Sequence, residues 1–307
     1  MTALLDESAR GVFVIAVTPF RDDGALDLDG ADRMVEFYLE RGATGLTILG
    51  IMGEAPKLSG GEASAFARRV IGRVAGRVPV VVGVSSPGFA AMRELAEVSM
   101  AAGAAGVMVA PPAVLRTDDQ LLSYMQAAAE SVAGAPLVLQ DYPLASGVQM
   151  SVAVIRRVIE TVPSCVMLKA EDWPGLSKIS ALRDAAGLRR VSILTGNGGL
   201  FLPEELRRGA DGAMTGFAYC EMMRDVVAAH GRGDAGRVAD LFDAYLPLAR
   251  YEQQPGIGLA VRKHVLAQRG AIPCAAQRRP CAKLGSHDLA DIAFLVARQE
   301  RRLAELG

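Results

Sequence analysis

A short apolar run followed by an amphipathic segment repeats along most of the chain. Each run is continuously apolar rather than alternating, which is typical of parallel strands that are buried on both faces. The segments between them, such as residues 28–41 and 90–102, space their apolar residues by three and four and predict amphipathic helices. Eight apolar runs occur, at residues 11–17, 44–49, 78–84, 105–110, 135–139, 164–168, 190–194 and 211–214.

Eight strand-then-helix units in one chain favour a closed (β/α)8 TIM barrel over an open, doubly wound sheet. A Rossmann-type sheet is the alternative. It is weakened because no GxGxxG motif follows the first apolar run. We therefore predict an α/β fold of the TIM-barrel type.

The strand signal stops after the eighth unit, and the remainder of the chain predicts helices at residues 234–250, 258–269 and 288–306. We interpret these helices as an appendage that packs against the barrel rather than as an independent domain. The predicted division is a (β/α)8 barrel over residues 1–231 and a C-terminal helical region over residues 232–307.

Charge and hydrophobicity argue against a nucleic-acid-binding or membrane protein. The chain has 307 residues and a net charge of -1, from 33 basic and 34 acidic side chains, so no global field draws it to nucleic acid or anionic lipid. No apolar run approaches the roughly 20 residues of a membrane span. Residues 1–10 lack the basic-then-apolar pattern of a signal peptide. We expect a cytoplasmic protein that acts on a small molecule, without a nucleic-acid or membrane partner.

The spacing of the cysteines and histidines indicates neither a disulfide framework nor a metal site. Cys165, Cys220, Cys274 and Cys281 show no CxxC spacing, and the three histidines are scattered. We therefore expect reduced thiols and no metal site.

The candidate reactive group is a lysine at the end of the sixth apolar run. In a (β/α)8 barrel, reactive groups lie where strands end, and Lys169 directly follows this run. A lysine in the mouth of a barrel is partly desolvated, which lowers its pKa. The free amine can then attack a ketone and form an imine. The alternative is a strand-end lysine on the surface; Lys57 and Lys178, in helices or their lead-ins, are interpreted as ordinary surface lysines.

Two weaker features follow other strands. In the segment Gly-Ile-Met-Gly-Glu at residues 50–54, the glycines let backbone N–H groups converge on an anion such as a carboxylate, although a plain tight turn is the alternative. After the fifth run comes Gln-Asp-Tyr-Pro at residues 140–143, where Tyr142 could donate or relay a proton or could simply pack.

Taken together, these residues resemble the dihydrodipicolinate synthase/N-acetylneuraminate lyase family of class I aldolases. The resemblance is collinear from Val12 to about Arg269. The matching positions are Val17-Thr18-Pro19-Phe20, Gly50-x-x-Gly53-Glu54 with Leu58-Ser59, Tyr142-Pro143 with Gly147, Lys169, Thr195-Gly196 and Gly209-Ala210-Asp211-Gly212.

The resemblance implies a (β/α)8 barrel with a C-terminal helical region, a Schiff-base lysine at Lys169 and a homo-oligomer, either a tetramer or a dimer. It implies pyruvate or a related 2-keto acid as the substrate, and it requires no metal or organic cofactor. With Lys169 and Tyr142 as the catalytic candidates, the expected substrate-binding residues are Gly50, Ile51, Met52, Gly53, Glu54, Gln140, Gly196, Met214 and Thr215.

Several positions depart from the family pattern. Ile51-Met52 replaces the hydroxyl residues of the usual Gly-Thr-Thr-Gly-Glu loop. Gln140 falls where the family has its proton-shuttling tyrosine, and Tyr142 comes two residues later, on the same face if the strand continues. The arginine that synthase members use for the second substrate falls at Ala145, and the tyrosine expected after strand four falls in Pro112-Ala113.

These losses argue against a true 4-hydroxy-tetrahydrodipicolinate synthase, which stays as a second alternative. We predict a lyase, either an aldolase or a dehydratase, that acts on pyruvate or a related 2-keto acid through Lys169. Near the lysine, Glu171 and Asp172 are candidate acid or base groups, although Asp172 could instead cap the next helix.

Two other interpretations remain open. A catalytically impaired barrel could serve as a keto-acid-binding or regulatory protein, and Lys169 could play a purely structural part in a barrel with unrelated chemistry. The polar segment at residues 250–255 predicts either a solvated link between helices or a substrate contact.

Overall fold

The computed structural model describes residues 3–173 and 175–307, and in them the apolar runs form one closed parallel barrel. Each strand pairs with the next one in chain order, and the last strand closes on the first with Gly212 opposite Gly11. The predicted TIM barrel with C-terminal helices is confirmed. The strands are β1 (Gly11–Ile15), β2 (Gly45–Ile48), β3 (Val80–Gly83), β4 (Gly106–Val109), β5 (Leu137–Asp141), β6 (Cys165–Ala170), β7 (Ser192–Thr195) and β8 (Gly212–Ala213).

The fifth and sixth strands extend further than the apolar runs that predicted them. β5 continues through Gln140 and Asp141, and β6 continues through Lys169. Gln140 pairs with Lys169 in the register of these two strands. The lysine therefore lies within a strand, beside the glutamine, rather than after the end of the strand.

Helices surround the barrel, and several of them begin at a residue whose side chain caps the helix. Ser59 and Glu62, for example, form a capping box at the start of the second helix, in which each side chain bonds the other residue's backbone N–H. The α-helices are α1 (Leu28–Glu40), α2 (Gly60–Val74), α3 (Phe89–Ala102), α4 (Asp118–Ser131), α5 (Pro143–Ser146), α6 (Val152–Thr161), α7 (Leu176–Arg183), α8 (Leu202–Arg207), α9 (Cys220–Gly231), α10 (Ala235–Glu252), α11 (Gly258–Gln268) and α12 (Ser286–Glu305).

The apolar residues form two clusters separated by the strands. The larger cluster lies between the strands and the surrounding helices. The smaller one fills the barrel interior, so the barrel is packed and a ligand can enter only at its mouth. The interior cluster includes Phe13, Ile15, Val81, Met108, Val138, Met167, Leu194 and Met214.

The C-terminal helices contact the barrel and one another. α10 packs against α9, α11 and α12. The segment that joins α10 to α11 returns to the mouth of the barrel and brings Gln253 to the cavity described below, which Arg262 reaches from α11. Among residues 3–173 and 175–307, no helix is long and apolar enough to cross a membrane.

Candidate active site

A cavity lies at the carboxyl ends of the strands, where this fold places its chemistry. Its outer compartment has a volume of about 660 Å³ and is lined mainly by apolar residues from the loops that follow β2 to β5. Its deep compartment, of about 30 Å³, lies at Lys169. Ile51, Gln140 and Tyr142 line both compartments, so the two form one continuous site.

Lys169 lies inside this site. Its side chain is 5% exposed, and its Nζ is 2.8 Å from Oε2 of Glu171. Among the described residues this carboxylate is the only group that makes a salt bridge or hydrogen bond with the lysine amine. The alternative of a strand-end lysine on the surface is therefore wrong. A buried amine beside a single carboxylate can give up its proton to that carboxylate without creating a net charge.

Glu171 is held by neighbours from β5 and from the loop after β7. Gln140 donates from Nε2 to Glu171 Oε2 over 2.7 Å, and the backbone N–H of Glu171 donates to the carbonyl of Asp141. Asn197 donates from Nδ2 to the carbonyl of Glu171 over 3.1 Å. A side chain at Gly196 would clash with the Glu171 carboxylate. Gly196 therefore serves the site by leaving room for the glutamate.

Asp172, the second acid predicted near the lysine, lies in a different pair. Its Oδ2 is 2.8 Å from Nζ of Lys178, which also lies 2.6 Å from Asp141 Oδ2. The interpretation of Lys178 as an ordinary surface lysine was wrong, because its side chain is 12% exposed and joins two carboxylates. Burial raises the pKa of Asp141 to about 6, and the Lys178 ammonium opposes that rise.

Nor does Asp172 cap the following helix. The N-cap residue of α7 is Gly175, which has no side chain to cap with. Asp172 instead accepts a hydrogen bond from the backbone N–H of Trp173.

The loop after β2 presents an apolar face to the cavity. Residues 51–53 form a 3₁₀ turn, with Ile51 and Met52 at the deep compartment and Gly50 at the outer one. Neither side chain has a hydroxyl, so on this wall only backbone groups can bond a carboxylate. This agrees with the departure from the family loop seen in the sequence.

Glu54, also predicted to bind substrate, is buried outside the cavity. Its carboxylate lies 2.6 Å from Lys263 Nζ and 2.9 Å from Lys57 Nζ. Lys57 is therefore not an ordinary surface lysine, which corrects that interpretation. Gly53 likewise faces away from the cavity, and its carbonyl accepts a hydrogen bond from Thr18. These contacts anchor the loop to β1 and α11 instead of binding a ligand.

Tyr142 directly follows β5, yet it lines the same deep compartment as Gln140. The two-residue offset therefore does bring both side chains to one site. Burial, reinforced by the nearby Glu171 charge, raises the pKa of the Tyr142 hydroxyl, which keeps it a proton donor.

The end of β8 contributes one of its two predicted residues. Thr215 lines the deep compartment, and its hydroxyl accepts from the backbone N–H of Gly198 over 2.8 Å. Met214 does not line the cavity. It is fully buried in the barrel interior, beneath the site.

The site also contains two residues that the sequence did not single out, Asn197 and Arg262. Asn197 supports Glu171, and Arg262 reaches the deep compartment from α11. Gln253, from the polar link between helices, lines the same compartment, which favours a substrate contact over a solvated link for that segment. A signal for Arg262 was available, since Arg262-Lys263 interrupts an otherwise apolar face of α11. In the part of the chain that the structure describes, no group of three His, Cys, Asp or Glu residues could hold a metal ion.

Comparison with known proteins gives a consistent picture. The model of the dihydrodipicolinate synthetase family matches residues 8–297. The chain is 29% identical over 303 residues to L-2-keto-3-deoxyarabonate dehydratase of Azospirillum brasilense, covering 97% of each protein. It is 32% identical over 300 residues to 4-hydroxy-tetrahydrodipicolinate synthase of Sorangium cellulosum, covering 95% of this chain and 96% of that one. The crystal structure of dihydrodipicolinate synthase from Rhodopseudomonas palustris is 52% identical, with a TM-score of 0.94, and covers 97% of this chain and 100% of that one.

The barrel and these matches define an enzyme of the class I aldolase type, a lyase. The chain belongs to the dihydrodipicolinate synthase family, as the resemblance predicted. Two different activities, a dehydratase and a synthase, are represented among relatives that span nearly the whole chain. Membership of the family is therefore compatible with more than one reaction.

Proposed function

We propose that this protein is a dehydratase that removes water from a 2-keto-3-deoxy sugar acid through an imine on Lys169. The observation that carries the proposal is the buried Lys169–Glu171 pair, 2.8 Å apart at the bottom of the cavity. The substrate class is supported by the A. brasilense relative, which is named for such a dehydration. The proposal retains the homo-oligomer that the family resemblance implies.

The first step is formation of the imine. Glu171 takes a proton from the Lys169 ammonium across the 2.8 Å contact, and the free amine attacks the C2 carbonyl. The carbonyl oxygen takes this proton back from Glu171 and leaves as water, which restores the Glu171 carboxylate. The protonated imine that results draws electrons from C3. Because both side chains are buried, bulk water competes little with this transfer.

The second step is elimination of water. Glu171, as a carboxylate, takes a proton from C3 and leaves an enamine. The C4–O bond then breaks, and the departing hydroxyl takes a proton from Glu171 or Tyr142, so that water leaves. Hydrolysis of the conjugated imine consumes one water and frees Lys169, so the net change is the loss of one water from the substrate.

The surroundings of Glu171 suit a base that must accept and return a proton. Gln140 bonds the carboxylate and Asn197 bonds the backbone of the same residue, so the glutamate is held toward the lysine. Gln140 stands where the family resemblance predicts the proton-shuttling tyrosine. In this proposal Glu171 takes over that proton transfer.

The synthase reaction is less well supported by the outer compartment. Among the described residues, no lysine or arginine lines it, and Ala145 stands where synthase members have an arginine. A second substrate with its own carboxylate would therefore find no cation there. Synthase activity remains the less favoured alternative.

A second candidate reaction is cleavage of a C–C bond through the same imine. The apolar lining of the outer compartment favours it, because a released apolar carbonyl fragment would fit such a wall. Leu58, Leu95 and Pro112 are examples of this lining. The two reactions share the lysine but differ in the product released.

Borohydride trapping tests the proposal. Purified protein is incubated with pyruvate or with 2-keto-3-deoxy sugar acids, reduced, and measured by intact-protein and peptide mass spectrometry. We expect one covalent adduct, on Lys169, and release of a dehydrated product from the sugar acids. Lys169→Ala should lose both the adduct and turnover, by at least about 10³-fold. The control Lys178→Arg keeps both of its acid partners and should be trapped like the wild type.

Each other outcome favours a different interpretation. An unmodified lysine across the whole panel contradicts the imine. An adduct together with an aldehyde or ketone fragment favours C–C cleavage. Binding without any product favours the keto-acid-binding protein.

A further inference from the structure

Arg262 lies on α11, outside the barrel strands, yet it reaches the deep compartment. Its side chain is 2% exposed, and it lines this compartment together with Gly216 and Gln253. Arginine is rarely buried this completely unless its N–H groups are paired. A guanidinium nitrogen of Arg262 that lacks an acceptor would therefore mark a place for a ligand.

Two of the three guanidinium nitrogens are bonded. Nε donates to Glu252 Oε1 and Nη2 donates to the carbonyl of Gly216, each over 2.5 Å. Nη1 is buried and has no hydrogen-bond partner among the described residues. A buried charged donor without a partner is costly, so the site is built to receive an acceptor at this position.

The unpartnered nitrogen lies beside Gly216, a residue of the cavity wall. Gly216 lines the deep compartment, and a methyl group added there would clash with Nη1 of Arg262. The glycine therefore leaves open the space in which the guanidinium lies. Glu252 fixes the arginine from behind, since its second oxygen accepts from the backbone N–H of Ala218 over 3.0 Å.

The charge balance of the cavity points to an anion as the missing acceptor. Lys169 and Arg262 are the cations among the described residues that line the two compartments. Lys169 is consumed by the imine, and Glu171 beside it repels a carboxylate. The loop after β2 offers the apolar side chains of Ile51 and Met52, which contribute no donor. Arg262 is then the cationic side chain that is left to bond the substrate acid.

We propose that Arg262 receives the carboxylate of the 2-keto acid, with Nη1 donating to one of its oxygens. This inference rests on the proposed imine chemistry and names the residue that makes the site select an acid over a neutral ketone. The bond is charge-assisted, which makes it stronger than a bond between neutral groups.

The experiment compares pyruvate with pyruvamide, which has the same ketone but no negative charge. The concentration giving half-maximal borohydride trapping is measured for each ketone in wild type and Arg262→Lys. Lysine can still bond Glu252 but cannot also span to Gly216 and the cavity. We expect the value for pyruvate to rise roughly 10- to 100-fold and that for pyruvamide by less than about 3-fold. The control Arg269→Lys, at the end of the same helix and paired with Glu221 outside the cavity, should leave both values unchanged.

The outcomes separate this inference from the proposed function. Wild-type protein that neither ketone modifies contradicts the imine itself. Wild type that is trapped, together with an Arg262→Lys variant of unchanged pyruvate preference, overturns the role of Arg262 alone. If Arg262→Lys melts at a lower temperature than the wild type, the comparison is repeated with Gly216→Ala, whose methyl would clash with Nη1 and Cζ of Arg262 while the arginine itself stays in the chain. An equal effect on both ketones in that variant would also overturn the proposal.

Discussion

Two buried lysine–glutamate pairs contribute to this molecule in different ways, although their geometry is similar. In the cavity, Lys169 lies 2.8 Å from Glu171, and behind the loop after β2, Lys263 lies 2.6 Å from Glu54. The difference is in the number of acceptors around each amine. Lys169 has the carboxylate alone among the described residues, whereas Lys263 also donates to the carbonyls of Thr18 and Ala276, each over 2.8 Å.

A lysine ammonium has three donors, and Lys263 uses all of them. Removing its proton would leave an acceptor without a donor in a buried place, so this lysine is fixed as a charge. Burial lowers the pKa of Lys263, and the charge of Glu54 opposes that change. A lowered pKa therefore does not by itself mark the reactive lysine. An incomplete set of acceptors at a cavity wall is the better indicator.

The largest effect that distinguishes the two pairs is the loss of turnover expected for Glu171→Gln. The amide cannot take a proton from Lys169 or from C3, so turnover should fall by about 10²- to 10⁴-fold while borohydride still traps an imine at long incubation. Steady-state rates and trapping are measured on the same preparation. Asp172→Asn is the matched control, since its carboxylate belongs to Lys178, and it should change turnover by less than about 5-fold. Equal losses in the two variants would remove the special role of Glu171.

Breaking the Lys263–Glu54 pair should lower the stability of the protein rather than its turnover. Lys263→Met leaves Lys57 as the single cationic partner of the buried Glu54 among the described residues and should lower the free energy of unfolding by about 3–5 kcal/mol. Denaturant titration measures this. The double variant Lys263→Met/Glu54→Gln should recover part of the loss, because the buried charge is gone. Lys283→Met, on the surface, is the control and should change stability by less than about 0.5 kcal/mol. A single variant as stable as this control would contradict the argument.

The smallest effect concerns a buried carboxyl that forms no salt bridge in the part of the chain that the structure describes. Glu205, on α8, is 5% exposed, and burial raises its pKa to about 8. The folded state therefore holds its proton to a higher pH than the unfolded chain does. The contribution of this group to stability is thus full below about pH 4.5 and is lost as the pH rises to about 8.

Glu205→Gln removes this titration. The free energy of unfolding of the variant, relative to that of the wild type at the same pH, should rise by on the order of 3 kcal/mol between pH 5 and pH 9. Denaturant titration at each pH measures this difference. Glu204→Gln is the control, since Glu204 pairs with Arg207 at the surface. Parallel pH profiles for wild type and Glu205→Gln would show that this carboxyl is already ionised in the folded protein at neutral pH.

The sequence was informative wherever the evidence is local. The apolar runs predicted the eight strands of the barrel and the amphipathic segments predicted its helices, because burial on both faces or on one face leaves a short-range period in the chain. The same reasoning placed Lys169 at the mouth of the barrel. It was wrong about Lys178, whose acid partners lie at the end of β5 and after β6, and about Lys57, whose acid partner Glu54 is only three residues away but is buried by the tertiary structure.

What the sequence by itself determined is therefore the architecture, the family and the one lysine that a strand carries into the cavity. Only the tertiary structure decided which charges meet. Glu54 and Lys263 are 209 residues apart in the chain, and Arg262 reaches Gly216 across 46 residues. The physical reason is that a salt bridge depends on the distance between side chains after the barrel has closed and α11 has packed against it. No short-range pattern records that distance.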